Sequence, residues 1–289
     1  MSGVRLSGLF LYPVKSLRGV AAASAEVDSI GIVGDRRFMV VDEQGGFLTQ
    51  RTQPRMATVK ATLSQNGLEL SAEGRGCVPV PFEEPGGAGR PLRKVSIWKD
   101  EGLFSEDCGD GPATWLAEVL GVPCRLVRIG RQFSRPILPE KMPDAMKVSP
   151  SGLGMHHSVN FADAYPFLII GKASLDDLNQ RLISIGEPPL PMDRFRPNLV
   201  ITGSPPFAED TWKRIRIGSI VFCAAGPCRR CVVTTTDQWT GDRGAEPLRT
   251  LATYRRDPAR PTYVNFGQNL IHETKTGTLH VGDPVEVLA

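Results

Sequence analysis

The stretch Arg214–Asp237, RIRIGSIVFCAAGPCRRCVVTTTD, decides how the chain is read. Ile215–Ile217 and Ser219–Cys223 are short apolar runs on either side of Gly218. Cys231 leads straight into a third run, Val232–Thr236. Runs of this length, rich in β-branched residues, read as strands because branched side chains pack well on a pleated surface. The same pattern continues outward. Leu199–Thr202, Tyr263–Phe266, Thr278–Val281 and Val285–Leu288 read as strands, with a turn at Gly282-Asp283. In the first half Val4–Tyr12, Val95–Trp98 and Arg125–Ile129 do so too. Arg37–Asp42 and Phe47–Arg51 flank Gly45-Gly46, and Thr58–Leu63 and Leu68–Ser71 flank Asn66-Gly67, both hairpin signals.

Helices are few. Pro112–Leu120 has helical spacing and stops at Gly121, Leu175–Ile185 follows Ser174 as an N-cap, and Pro247–Arg255 opens on proline and closes on arginine. Gly74–Arg93 reads as a surface loop. Arg131–Gly154, with Pro136, Pro139, Pro143 and Pro150, reads as a linker or lid. The expected fold class is α+β, mainly β: two barrel-like units, residues 1–130 and 131–289, with peripheral helices.

The 289 residues are 41% hydrophobic and 22% charged, an ordinary globular composition. Lys and Arg number 34 against 31 Asp and Glu, a net charge of +3. That balance gives no basis for a nucleic-acid or membrane surface. No run approaches the ~20 apolar residues of a membrane span, and the amino terminus lacks a signal-peptide core. A cytoplasmic protein is expected, with its six cysteines as thiols.

Three constellations could carry chemistry. Cys228-Arg229-Arg230-Cys231 could be half a zinc site, a redox pair or a structural pair. No second Cys-x-x-Cys accompanies it, and the adjacent His156-His157 would point to opposite faces of a strand. Two arginines beside a thiol stabilise its thiolate, a soft ligand for a redox metal, and neutralise an anionic cofactor. Tyr12-Pro13-Val14-Lys15-Ser16 presents a cation and a hydroxyl at a strand end, fit for a phosphate or for an ordinary loop. Phe195-Arg196-Pro197-Asn198 runs into a strand, and Asn198 can read a heterocycle edge or serve a turn. Gly86-Gly87-Ala88-Gly89 lacks the strand–helix context of a dinucleotide motif.

Together these constellations resemble the MOSC superfamily with its amino-terminal β-barrel domain, and within it the mitochondrial amidoxime-reducing components and their bacterial relatives. The resemblance runs from LFLYPVKSLRG through GDRRFMVVDEQGGFLTQRTQPRM, ADAYPFLIIGKASLDDLNQRL, FRPNLVITG, CRRCVVTTTD and EPLRTLATYRR to GTLHVGDPVEVL. It implies a molybdenum cofactor, a mononuclear molybdenum on a phosphate-bearing pyranopterin (Mo-molybdopterin), with Cys231 as metal ligand and catalytic centre. It places Lys15, Ser16, Arg36, Asp163, Ala164, Tyr165, Arg196, Asn198, Arg229 and Arg230 at cofactor-binding positions, and Cys228 beside the site. Arg229 and Tyr165-Pro166 depart from serine-containing segments associated with eukaryotic members, which bears on pocket shape. The superfamily also carries a pyridoxal phosphate label.

The activity so implied is reduction of N-hydroxylated compounds by electrons from a separate protein, a ferredoxin or a cytochrome b5-type haem protein with its reductase. No flavin, nicotinamide or iron–sulfur motif is visible, and neither a fused ferredoxin domain nor a membrane anchor is expected. Two other activities use the same residues: sulfur transfer through a Cys231 persulfide, and carriage of the cofactor without turnover.

Overall fold

The structure is a computed structural model and describes residues 3–83, 89–147 and 157–289. It is mainly β with peripheral helices, as expected. The largest sheet has eight strands, in the spatial order Val285–Val287, Arg214–Ile217, Ile220–Arg229, Asn265–His272, Phe167–Gly171, Leu199–Thr202, Arg5–Leu11 and Val20–Ala22. Phe167–Gly171 and Leu199–Thr202 are parallel, joined by the crossover helix Lys172–Ser184. The other neighbours run antiparallel.

The central strands of this sheet are buried on both faces. Phe167, Ile169, Leu199, Ile201 and Phe222 pack into one core; Leu168, Ile170, Phe195 and Phe266 pack on the other side against Leu175, Leu178 and Leu182 of the helix. Burial on both sides explains why Phe167–Gly171 lacks the alternation of a half-exposed strand and is hard to read from periodicity.

A separate core lies in the first half, where Val14, Leu17, Phe38, Val40, Met56 and Leu126 meet Leu116 and Leu120 of helix Asp110–Leu120. That helix ends at Gly121 in the left-handed conformation, as its sequence indicates. The β-ladders cross residue 130. Arg5–Leu11 pairs with Leu199–Thr202, and Ser24–Asp28 pairs with Gly277–His280. Among the described residues no helix is long and apolar enough to cross a membrane.

Several local expectations are corrected. Val232–Thr236 is not a strand; Val232–Thr235 forms a single 3-10 turn. Thr234 and Thr235 donate their hydroxyls to the carbonyls of Cys231 and Val232, both at 2.9 Å, and this local bonding displaces a ladder. Arg194 then occupies the carbonyls of Thr234 and Thr235 at 3.1 and 2.9 Å. Phe47–Arg51 is not a strand either. Beyond a bridge from Phe47 to Val41 the chain curls, with the Thr49 carbonyl accepting from the Thr52 and Gln53 amides. Ser174 lies inside helix Lys172–Ser184 and bonds to Glu209 instead of capping.

Within the expected loop Gly74–Arg93, Cys77–Pro81 is an edge strand, a position that tolerates Pro79 and Pro81. The strands on either side of Gly282-Asp283 do not pair with each other but with Ser24–Asp28 and Arg214–Ile217. The segment 86–88, His156 and residues 148–154 of the expected lid lie outside the described residues.

Candidate functional site

Strand Ile220–Arg229 carries two register breaks against Asn265–His272, between Ala224 and Gly226 and between Pro227 and Arg229. Gly226 sits at φ 109, open to glycine and strained for other residues. Bulges bend a strand and re-aim its side chains. As a result the consecutive residues Ala225 to Cys231 all border one cavity of about 520 Å³, which strict strand alternation would forbid.

The same cavity gathers every residue expected at the site. Lys15, Ser16, Arg36, Asp163, Ala164, Tyr165, Arg196, Asn198, Arg229, Arg230 and Cys231 all line it. Ser16, Arg36 and Arg196 have φ values of 66, 47 and 54, in the left-handed region. Such strain is held only where the surroundings over-determine it, and it clusters at binding sites.

Asp35, fully buried, accepts the Tyr12 amide at 2.8 Å and Arg36 Nη1 at 2.6 Å. The guanidiniums of Arg36 and Arg196 both lie over the Tyr12 ring, at 4.7 and 4.2 Å from its centroid. Burial lowers Arg36, but Asp35, Tyr12 and Asp163 together outweigh it and the net shift is upward. Arg196, with weaker compensation, is pushed down to about 10 by burial. The Asn198 amide is committed to the protein. Its Oδ1 accepts from Arg36 at 3.1 Å and its Nδ2 donates to the Phe10 carbonyl at 3.2 Å. Asn198 therefore orients Arg36 rather than offering a free edge to a ligand.

Lys15 is buried and donates to the Phe161 carbonyl at 2.8 Å while pairing with Asp163. Burial lowers its ammonium to about 8, with Asp163 opposing. Asp163 is half exposed, but to the cavity, and also pairs with Arg51 at 2.9 Å. Burial would raise its carboxyl; Lys15 and Arg51 together hold it well below the usual range. Arg135, buried, holds the Asp163 segment through the carbonyls of Asn160 and Asp163, each at 3.0 Å. Tyr165 donates to the Lys141 carbonyl at 2.9 Å.

Within the Cys-Arg-Arg-Cys segment the two arginines diverge. Arg230 donates to Cys228 Sγ at 2.9 Å and to the Phe195 carbonyl at 2.6 Å, and its Nε is buried with no partner among the described residues. Arg229 reaches Asp257 at 3.4 Å. The cation beside Cys231 is Arg51: burial lowers it, but Asp163 and then Cys231 hold it above its ordinary range. Arg51, Arg135 and Arg194 were not singled out from sequence. Arg51 lies in no motif beyond the stretch GFLTQRTQPRM, and the roles of Arg135 and Arg194 depend on carbonyls distant in sequence. Among the described residues no three His, Cys, Asp or Glu side chains cluster to hold a metal.

Six cationic side chains and two carboxylates line the cavity, leaving four positive charges in excess. Residues 3–123 match the MOSC N-terminal beta barrel domain, and residues 156–286 match the MOSC domain. Human mitochondrial amidoxime-reducing component 1 is 35% identical over 293 residues, covering 97% of this chain and 82% of its own length. Rat mitochondrial amidoxime reducing component 2 is 36% identical over 295 residues, covering 97% and 82%. The chain belongs to the MOSC family. The crystal structure of the YUAD protein from Bacillus subtilis covers 98% of this MOSC chain and 94% of its own at 10% identity, with a TM-score of 0.36, too low to carry an argument. Neither family match nor relative supports the pyridoxal phosphate label.

Proposed function

We propose that this MOSC protein is an oxidoreductase that reduces N-hydroxylated compounds, such as amidoximes and hydroxylamines, at a molybdenum cofactor. The observation that carries the proposal is the convergence of Cys231 and six cations on one cavity of about 520 Å³. The residues fit that group. A soft thiolate suits molybdenum, an excess of positive charge suits a phosphate-bearing pterin, and the unpartnered Arg230 Nε leaves a buried donor to satisfy. When bound, the cofactor would supply two-electron oxygen-transfer chemistry.

The chain's residues bind and orient. Cys231 is the protein ligand to the metal. Lys15, Ser16 and Arg36 hold the anionic end, with Asn198 keeping Arg36 in place. Arg196, Arg229, Arg230 and the segment Asp163-Ala164-Tyr165 line the remainder. The net reaction consumes an N-hydroxyl group, two electrons and two protons, and yields an N–H group and water. The electrons come from a separate protein, a ferredoxin or a cytochrome b5-type haem protein with its reductase.

Protein from a host that makes the cofactor should contain stoichiometric molybdenum and show no flavin or iron–sulfur absorbance. It should be inactive with NADH alone and reduce an amidoxime when given a reduced viologen. Molybdenum-loaded protein that turns over no member of a panel of N-hydroxylated compounds would overturn the reading. Metal-free protein carrying a Cys231 persulfide would favour sulfur transfer instead.

A further inference from the structure

Strands Leu92–Ile97 and Asp100–Asp107 form a hairpin in which Ile97 pairs with Asp100, so the connection is only Trp98-Lys99. Trp98 has φ 55, and Lys99 is not among the residues of positive φ. A two-residue loop with positive φ at its first position alone strongly prefers glycine there. A bulky side chain in that place is a backbone outlier. The indole does not recover the strain by burial, since it is 51% exposed.

What holds the indole is contact with Phe47 and with Arg51, the latter a residue of the cavity wall. Its ring meets Phe47 edge-on, with centroids 5.0 Å apart, and the Arg51 guanidinium lies 4.6 Å from its centroid. Arg51 lines the cavity and pairs with Asp163; Asp163 pairs with Lys15; and Lys15 lies over Phe47 at 5.0 Å. Two aromatic rings, two cations and one carboxylate thus close a circuit that fixes the indole against Arg51, a residue of the cavity lining. A flat, exposed ring with its freedom already spent is a stacking surface of low entropic cost.

The volume matters next. A cavity of about 520 Å³ is the size that one drug-sized molecule fills. With a cofactor inside, less of that volume is left for a substrate, and its body would extend past the lining residues. The geometry points to Trp98 as a specificity-determining residue that stacks the ring of aryl N-hydroxylated substrates, an assignment that rests on the reductase reading above. Arg51 on the indole makes the stack richer than a lone aromatic pair. Alkyl substrates have no ring to present and gain nothing from it.

Trp98→Gly removes the indole and installs the residue that the turn prefers, so the melting temperature should hold or rise. In molybdenum-loaded enzyme the KM for an aryl amidoxime should rise about five- to tenfold with kcat retained. An alkyl hydroxylamine should change less than about twofold, and Trp98→Phe should restore most of the aryl preference. Benzamidine, an unreactive aryl amidine of the product class, reads binding without turnover. It should quench tryptophan fluorescence saturably in the unmodified protein and not in Trp98→Gly. Inactivity of the unmodified enzyme toward every substrate would sink the reductase reading, and the quenching experiment would still decide on Trp98. Parallel losses for aryl and alkyl substrates, or saturable quenching that survives in Trp98→Gly, would overturn the assignment.

Discussion

Lys15→Met deletes one charge from the cavity wall, the ammonium that lies over Phe47, and keeps the apolar stem. Asp163 retains Arg51 at 2.9 Å, so the variant strands no carboxylate. A charge-assisted hydrogen bond to an anionic group is worth about 1.5–3 kcal/mol. The Lys15 ammonium is shared with Asp163 and the Phe161 carbonyl, which puts its contribution at the low end. At ~1.4 kcal/mol per decade, the cofactor should bind about tenfold more weakly.

The pH dependence carries a sign. Burial lowers Lys15 from 10.5 to about 8, so the cation is present below pH 8 and lost as pH rises through it. Affinity for an anionic cofactor should therefore fall above pH 8 in the unmodified protein and stay flat in Lys15→Met. Folding stability moves the other way. The cost of burying the ammonium is present below pH 8 and is relieved between pH 8 and 10.5, because only the unfolded chain binds that proton there. Molybdenum retained per chain after dialysis on either side of pH 8, with thermal melts of the same samples, reads both trends. Equal retention by variant and parent below pH 8, or the same alkaline loss in both, would refute the reasoning.

The thiols and the buried imidazoles give further tests. Cys231→Ser should abolish amidoxime reduction, because a neutral hydroxyl replaces a soft thiolate. Cys228→Ser should be far milder, since its sulfur serves as an acceptor for Arg230 at 2.9 Å; equal loss in steady-state assays of both variants would favour a redox pair. Burial lowers His157 and His272 from 6.5 to about 4, so each keeps the fold's full stability above pH 6.5 and erodes it as pH falls toward 4, where the unfolded chain alone takes the proton. Among the described residues neither ring nitrogen of His157 has a partner, so His157→Leu should flatten this acid limb in denaturant titrations on either side of the window. An unchanged slope would count against desolvation as the cause.

The sequence was most legible where local chemistry and tertiary context agree. Leu199–Thr202 occupies its expected residues, Asn66-Gly67 lies at its hairpin, and Gly121 stops its helix. It was least legible where side chains compete with the backbone. The threonines after Cys231 read as a strand by composition but fold their hydroxyls back onto carbonyls. Ser174 looks like a cap and is instead the buried partner of Glu209, a residue distant in the chain. At the site, the motif residues could be named because they are contiguous in YPVKS, FRPN and CRRC. Arg51, Arg135 and Arg194 could not, since each acts on atoms distant in the chain that only the fold brings near.

The ladder between Arg5–Leu11 and Leu199–Thr202 has a consequence for biosynthesis. Leu6 donates to the Asp283 carbonyl at 2.9 Å, and Arg5 bridges Pro284, so this strand, with Val20–Ala22 on one edge, finds its other neighbours far later in the chain. On the ribosome this strand emerges with one backbone edge unpaired until residue 202 has cleared the exit tunnel. At about 5–20 residues per second that interval lasts on the order of ten seconds or more. The large sheet therefore closes late, around strands of high sequence separation, a topology that folds slowly and exposes unpaired edges meanwhile. Nascent-chain expression at low temperature or with holdase chaperones should raise the soluble yield more for this protein than for one whose strands pair in order of synthesis.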